Sequence, residues 1–149
     1  IAQGYITDKI SEHLINSDIN NTLVQLGEYR GIGDHPDGRP WRLLLSNPEH
    51  TDSIGEIEFT NAAVATSAGL GTPFDLTGKH HHIFDPKNGY NANNYLQASV
   101  TSKTAAEADA LATAFLILNR KASEKIARSL NVGFEILDND RNRKIITSI

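Results

Sequence analysis

The chain has 149 residues and a formal net charge of -4, from 14 Lys and Arg against 18 Asp and Glu. That length is enough for one domain with a real core, and the acidic balance argues against the broad basic surface through which a protein holds nucleic acid by its phosphates. Cysteine is absent, which excludes disulfides, zinc-thiolate sites and a thiol nucleophile; no run of 18 apolar residues reads as a membrane span, and no signal peptide is visible.

Methionine is absent too, even at position 1, and Ile1-Ala2-Gln3-Gly4-Tyr5 runs straight into a helical pattern. The chain reads as a piece of a longer protein cut inside its fold; a small domain trimmed by processing or cloning is the alternative. Residues 7–15 place Ile10, Leu14 and Ile15 at amphipathic-helix spacing. A strand follows at 22–26, then turn residues Gly27, Gly31, Gly33 and Pro36-Asp37-Gly38. Residues 39–45 read as a strand with Pro40 near its start, and 53–60 as another. Residues 61–68 are small and apolar, suiting a strand or a tightly packed segment, and 69–81 read as a loop. After a strand at 96–101, Thr104 is the expected N-cap of a helix over 105–118, with Glu107 completing a capping box. Ser123 caps or interrupts before a second helix ending at Leu130. A hairpin closes the chain, with strands at 132–137 and 144–147 around Asp138-Asn139-Asp140. The order of elements predicts a layered α+β fold with a mixed or antiparallel sheet.

Asp109 and Thr113 lie four residues apart, on one face of the alanine-rich helix. A carboxylate in so apolar a stretch needs a partner. Mg²⁺ accepts a few protein oxygens and fills its shell with water and phosphate oxygens, so Asp plus Thr suits it. The other reading is a packed helix with Asp109 favouring its own N-terminal half through the dipole. Calcium fits less well, because no dense run of acidic ligands is present.

His80, His81 and His82 are consecutive, which suits zinc poorly because neighbours in an extended segment face opposite ways. One histidine turned inward is expected, and His82, ahead of Ile83-Phe84, is the candidate base. Asp85 either orients that ring or accepts from loop N–H groups, with Pro86 stiffening the loop and Gly89 reversing it. An exposed turn is the alternative. The segment 26–33 can cradle a phosphate with backbone N–H groups, yet it lacks the Gly-Lys-Ser/Thr end of a Walker A loop; a plain β-turn is the other reading. Thr66 and Ser67 offer hydroxyls for a pyrophosphate or isoalloxazine contact, or serve as packing residues.

Taken together these segments resemble the ApbE family of FAD:protein FMN transferases, in its C-terminal half and over nearly the whole chain. Residues 1–8, Ile-Ala-Gln-Gly-Tyr-Ile-Thr-Asp, are similar to the family's Ala-Lys-Gly-Tyr-x-x-Asp. Leu26-Gly27 and Gly31-Ile32-Gly33 resemble its Gly-Gly-Asp loop. Trp41 and Asn47-Pro48 resemble its Trp-led strand ending in Pro, and Ala65-Thr66-Ser67 its Ala-Thr-Ser-Gly. Residues 82–89, His-Ile-Phe-Asp-Pro-Lys-Asn-Gly, resemble His-Ile-x-Asp-Pro-x-Thr-Gly. Ser99-Val100-Thr101 with the Ala108–Thr113 segment resembles the most recognisable helix.

The resemblance implies the C-terminal portion of an ApbE-like fold that uses FAD and Mg²⁺. It implies transfer of FMN to a threonine hydroxyl of a partner flavoprotein with release of AMP. Asp109, Thr113 and the backbone carbonyl of Ala2 would hold the metal. His82 would be the base with Asp85 beside it, and Gly27, Thr66, Ser67, His82 and Asp85 would meet the cofactor. The family's N-terminal half, which supplies much of the flavin pocket, is the implied missing partner, and a periplasmic or outer-side membrane-anchored setting is implied as well. The sequence departs from the family pattern at Gln3 for Lys, Glu28-Tyr29 for Gly-Asp, Ala68 for Gly and Asn88 for Thr, and Glu28 is expected to obstruct close backbone approach. A non-catalytic flavin-binding or packing domain, and an FAD pyrophosphatase giving FMN and AMP, are the competing readings.

Overall fold

Helix α1 spans Ala2–Asn16, beginning well before the apolar repeat at 7–15. The computed structural model describes residues 1–75 and 79–148. The side of α1 that is buried is not the isoleucine side. Gly4, Thr7 and Ser11 are buried, whereas Ile10 and Ile15 are 42% and 43% exposed. The reason is the closeness of the second helix: a Cβ on Gly4 would lie 2.4 Å from the carbonyl oxygen of Ala105. Only small side chains fit such a contact, so the larger ones turn outward.

Strands β1 (Thr22–Gln25) and β2 (Tyr29–Ile32) form a hairpin. The stretch 26–33, for which a phosphate cradle and a plain β-turn were both open, is a tight turn followed by a strand. Strands β3 (Trp41–Ser46) and β4 (Ser53–Phe59) pair only with each other, as an antiparallel ribbon. The small, apolar residues before position 69 form β5 (Ala63–Ala68), followed by one 3₁₀ turn at Gly69–Gly71. Of the loop expected at 69–81, residues 76–78 lie outside the described residues.

Strand β6 (Gln97–Ser102) leads into α2 (Ala105–Ile117). Thr104 caps α2 as expected, its side chain accepting from the Glu107 N–H at 3.3 Å. The Glu107 carboxylate meanwhile accepts from the Ser102 hydroxyl. Helix α3 (Arg120–Leu130) starts a turn earlier than expected, at an Asn119 cap that accepts from the Ala122 N–H at 3.0 Å. Ser123 is therefore a buried interior residue of α3 and not its cap. Asn131 ends the helix in the left-handed region, as asparagine tolerates. Strands β7 (Gly133–Leu137) and β8 (Arg143–Thr147) form the expected closing hairpin.

The main sheet has the order β1-β2-β5-β6-β7-β8, with every neighbouring pair antiparallel. It is an α+β fold with no parallel pair in that sheet. The helices lie on the face carrying Ala63, Ala65, Ala98, Val100 and Phe134, where Phe115 of α2 meets Phe134 at 4.6 Å between ring centroids. A smaller cluster of Phe59, Ala62 and Val64 packs with Trp41 of the ribbon. Among the described residues no helix is long and apolar enough to cross a membrane.

Candidate functional site

The alternation along β5 sends neighbouring hydroxyls to different partners. The Thr66 and Ser99 hydroxyls lie 2.9 Å apart, as do those of Ser67 and Thr113. The second pair ties the end of β5 to α2, one turn beyond Asp109. Asp109 is 9% exposed, and its Oδ2 accepts from the Gly4 N–H at 3.0 Å. The amino group of Ile1 lies 2.7 Å from the same oxygen. The close α1–α2 contact at Gly4 therefore also aims the acid.

Asp109, Thr113, Ser67, Thr66, Gly27 and His82 all line one cavity of about 500 Å³. The expected acid, hydroxyl and imidazole thus share a cleft. Ala2 heads the first turn of α1 beside Gln3, and it is Gln3 that lines the cavity. Among the described residues no Lys or Arg lines it.

The histidine run resolves by alternation. His81 and Ile83 point into the protein, while His82 and Phe84 are exposed. His81, not His82, is the inward ring: it is 4% exposed, packs on Gly69, and accepts from the Ile83 N–H at 3.2 Å. His82 faces away from the core and toward the cavity.

Asp85 takes the second of its two expected roles. Its carboxylate accepts from the Lys87 N–H at 2.9 Å and the Asn88 side-chain amide at 3.1 Å. Its carbonyl accepts from Gly89 N–H at 2.8 Å, and its own N–H donates to the Tyr90 carbonyl at 2.8 Å. Gly89 adopts φ +75° to complete the turn. Asp85 shapes the loop carrying His82, and it lines a separate recess with Pro86 and Asn94.

Glu28, read from the sequence only as an obstruction to backbone approach, is a buried acid of the cavity. It follows Gly27, whose φ of +104° makes the β1–β2 turn, and its side chain is only 8% exposed. It lies in the cavity wall beside Gly27. Burial, first, and the neighbouring Asp109 charge push its carboxyl up to about 7; the Ile1 amino group and the Thr66 N–H pull the other way. The visible signal was an acid beside a glycine at a hairpin turn, which usually marks an exposed turn residue.

In oxygen donors, then, the cavity offers two carboxylates and several hydroxyls, those of Ser67, Thr66 and Thr113 among them. Among the described residues no group of three or more His, Cys, Asp or Glu side chains is placed to hold a metal. A cation here would draw on carboxylate, hydroxyl and backbone oxygens together. That donor set suits a hard ion such as Mg²⁺.

The chain belongs to the ApbE family, a sequence model of which matches residues 1–137. A curated relative from Vibrio cholerae, an FAD:protein FMN transferase, is 32% identical over 134 residues, covering 87% of this chain and 40% of its own. The Haemophilus influenzae protein of the same name is 28% identical over 143 residues, covering 92% of this chain and 41% of its own. Among solved structures, the ApbE protein of Thermotoga maritima superposes with a TM-score of 0.88 at 27% identity, covering 97% of this chain and 49% of that one. The flavin transferase ApbE of Vibrio cholerae gives 0.79 at 28% identity, with 97% and 48% covered. The chain spans about two fifths of the length of these curated relatives and about half of these solved structures.

Proposed function

We propose that this chain forms the cation- and dinucleotide-holding part of an FAD:protein FMN transferase. The reaction moves FMN from FAD to a threonine hydroxyl of a partner flavoprotein and releases AMP. The observation that carries this reading is the convergence of Asp109, Thr113 and His82 on one cavity, in a chain of the ApbE family.

The charge of the cavity supports it. A dinucleotide diphosphate is an anion, and two carboxylates with no Lys or Arg among the described lining residues would repel it. A hard divalent cation reverses that sign, and Asp109 with Thr113 is the donor pair to hold it. When bound, Mg²⁺ supplies charge neutralisation on the diphosphate oxygens. Ala2, at the head of α1, offers its carbonyl as a further ligand. Gly27, Thr66 and Ser67 contact the flavin nucleotide.

His82 is exposed on the cavity rim, where an acceptor protein can reach it. Its imidazole takes the proton of the threonine hydroxyl as that oxygen attacks the phosphorus of the FMN half. The new bond is Oγ–P, and the broken bond is the P–O link to AMP, which leaves as the phosphate monoester. Asp85 keeps its loop in shape and thereby positions His82.

The rest of an ApbE-type fold is proposed as the partner that closes the cavity. The relatives' greater length supports this, as do Tyr5, Ile6, Ile10 and Ile15, the apolar side chains that α1 leaves exposed.

The test supplies FAD, Mg²⁺ and a threonine-bearing flavoprotein, with the remaining half of the fold, and reads the acceptor's mass. A gain of one FMN is expected, lost with Asp109→Ala and with His82→Ala. Transfer unchanged in either variant removes that residue from its role. FMN and AMP appearing with an unmodified acceptor would instead assign hydrolysis.

A further inference from the structure

We infer that Glu28 is a second carboxylate ligand for the divalent cation held by Asp109, so that one ion is shared between the β1–β2 turn and α2. This inference rests on the proposed cation reading of the cavity and adds a residue that the family resemblance does not assign. The motif comparison in fact marks position 28 as a departure.

Three observations carry it. First, the side chain is more than nine-tenths buried and lies in the wall of the same cavity as Asp109 and Thr113. An acidic residue at a hairpin turn ordinarily points to water; here the turn folds it inward. Second, Glu28 and Asp109 line the same cavity, near enough for the Asp109 charge to act on Glu28. Like charges held together in a poorly solvated place are costly unless a counter-ion joins them. The cation at hand is the Ile1 amino group, 2.7 Å from Asp109 Oδ2, one positive charge against two carboxylates, and among the described lining residues there is no Lys or Arg to add a second.

Third, the two acids are fixed from different sides. Gly4 N–H, on α1, holds one oxygen of Asp109 at 3.0 Å, and Glu28 reaches the same cavity wall from the β1–β2 turn, beside Thr66. One oxygen of Asp109 is thus held while the other, with the Glu28 carboxylate, can serve a cation. With Thr113 and water or phosphate oxygens, two carboxylates make an ordinary magnesium donor set.

The experiment titrates Mn²⁺ into the chain without FAD, following the free-ion EPR signal, with Mg²⁺ as competitor. Glu28→Gln, which keeps shape and removes charge, is expected to weaken Mn²⁺ binding about tenfold or more. Asp109→Asn is expected to do at least as much, and Glu28→Asp to retain part of the affinity. Wild-type affinity in Glu28→Gln alongside a loss in Asp109→Asn overturns the inference and leaves the Asp109 reading standing. Wild-type affinity in Asp109→Asn, or no Mn²⁺ binding by the native chain, overturns the cation reading itself. Should Glu28→Gln not fold, Mn²⁺ broadening of the ¹³C-labelled carboxyl resonances of the native chain decides. Broadening of Asp109 without Glu28 overturns the inference.

Discussion

The carboxylate of Asp8, on α1, caps α2: its two oxygens accept from the backbone N–H of Ala105 at 2.8 Å and of Ala106 at 2.9 Å. It sits 3.9 Å from the guanidinium of Arg30, which is partly buried beneath it. One side chain thus satisfies two unpaired donors at a helix start and balances a cation from β2. Replacing Asp8 by Ala is expected to cost about 2–4 kcal/mol of stability, read as a lowered urea midpoint. Asp8→Asn keeps an acceptor and should lose less. Equal losses in the two variants would mean that the acceptor kept by Asn adds nothing and that the charge facing Arg30 carries the effect.

The contact at Gly4 gives a second expectation. A methyl group there meets backbone, not a flexible side-chain end, with the Ala105 oxygen 2.4 Å away. The helices must separate to accept it. Gly4→Ala is therefore expected to destabilise by about 1–3 kcal/mol, although alanine is the better helix former. It should also weaken Mn²⁺ binding, because the Gly4 N–H that steadies Asp109 moves with α1. A variant as stable as wild type would show that α1 shifts freely.

The adjacent histidines separate structure from chemistry. His82→Ala removes an exposed ring and should change stability by no more than about 0.5 kcal/mol, while transfer falls about 10²- to 10⁴-fold. His81→Ala leaves a hole against Gly69 and an unpaired Ile83 N–H, and should cost about 2–4 kcal/mol. Thermal melts and single-turnover transfer on both variants check this. The reverse pattern would assign the imidazole role to His81.

Glu28 sets a pH dependence whose sign is opposite to that of a salt-bridged acid. Its carboxyl is raised from 4.5 to about 7 in the fold, so the native chain holds a proton that the unfolded chain releases between those values. Stability contributed by this group is present below 4.5, declines across the window, and is lost above 7. The full cost is roughly 3 kcal/mol. In metal-free buffer, Glu28→Gln should match wild type near pH 4.5 and exceed it at pH 8. Urea unfolding at both values checks it, and a constant difference would place the titration elsewhere.

Much of this molecule could be read from its residues, and the misses have physical reasons. The α2 boundaries, the closing hairpin and the ribbon strands followed from periodicity and caps. The side of α1 that faces inward did not, because its burial is decided by the space beside Ala105 and not by hydrophobicity. Strand β2 was hidden by its glycines: Gly31 reads as a breaker, yet it lies under the rings of Trp41 and Phe59. At the site, what agrees with the sequence reading is that Asp109, Thr113 and His82 line one cavity. Asp85 was legible as a turn former as well as a ring partner, and only three dimensions separate those roles. Glu28 was not legible, since a hairpin-turn acid looks solvent-facing until the neighbouring strand closes over it. The Asp8 cap is likewise a contact across 97 positions of sequence, beyond the reach of local pattern.

Helix α1 wears its adhesive residues outward. With Tyr5, Ile6, Ile10 and Ile15 wetted, the chain on its own should be a poor colloid, gathering into concentration-dependent clusters that mild detergent disperses, however well each molecule is folded.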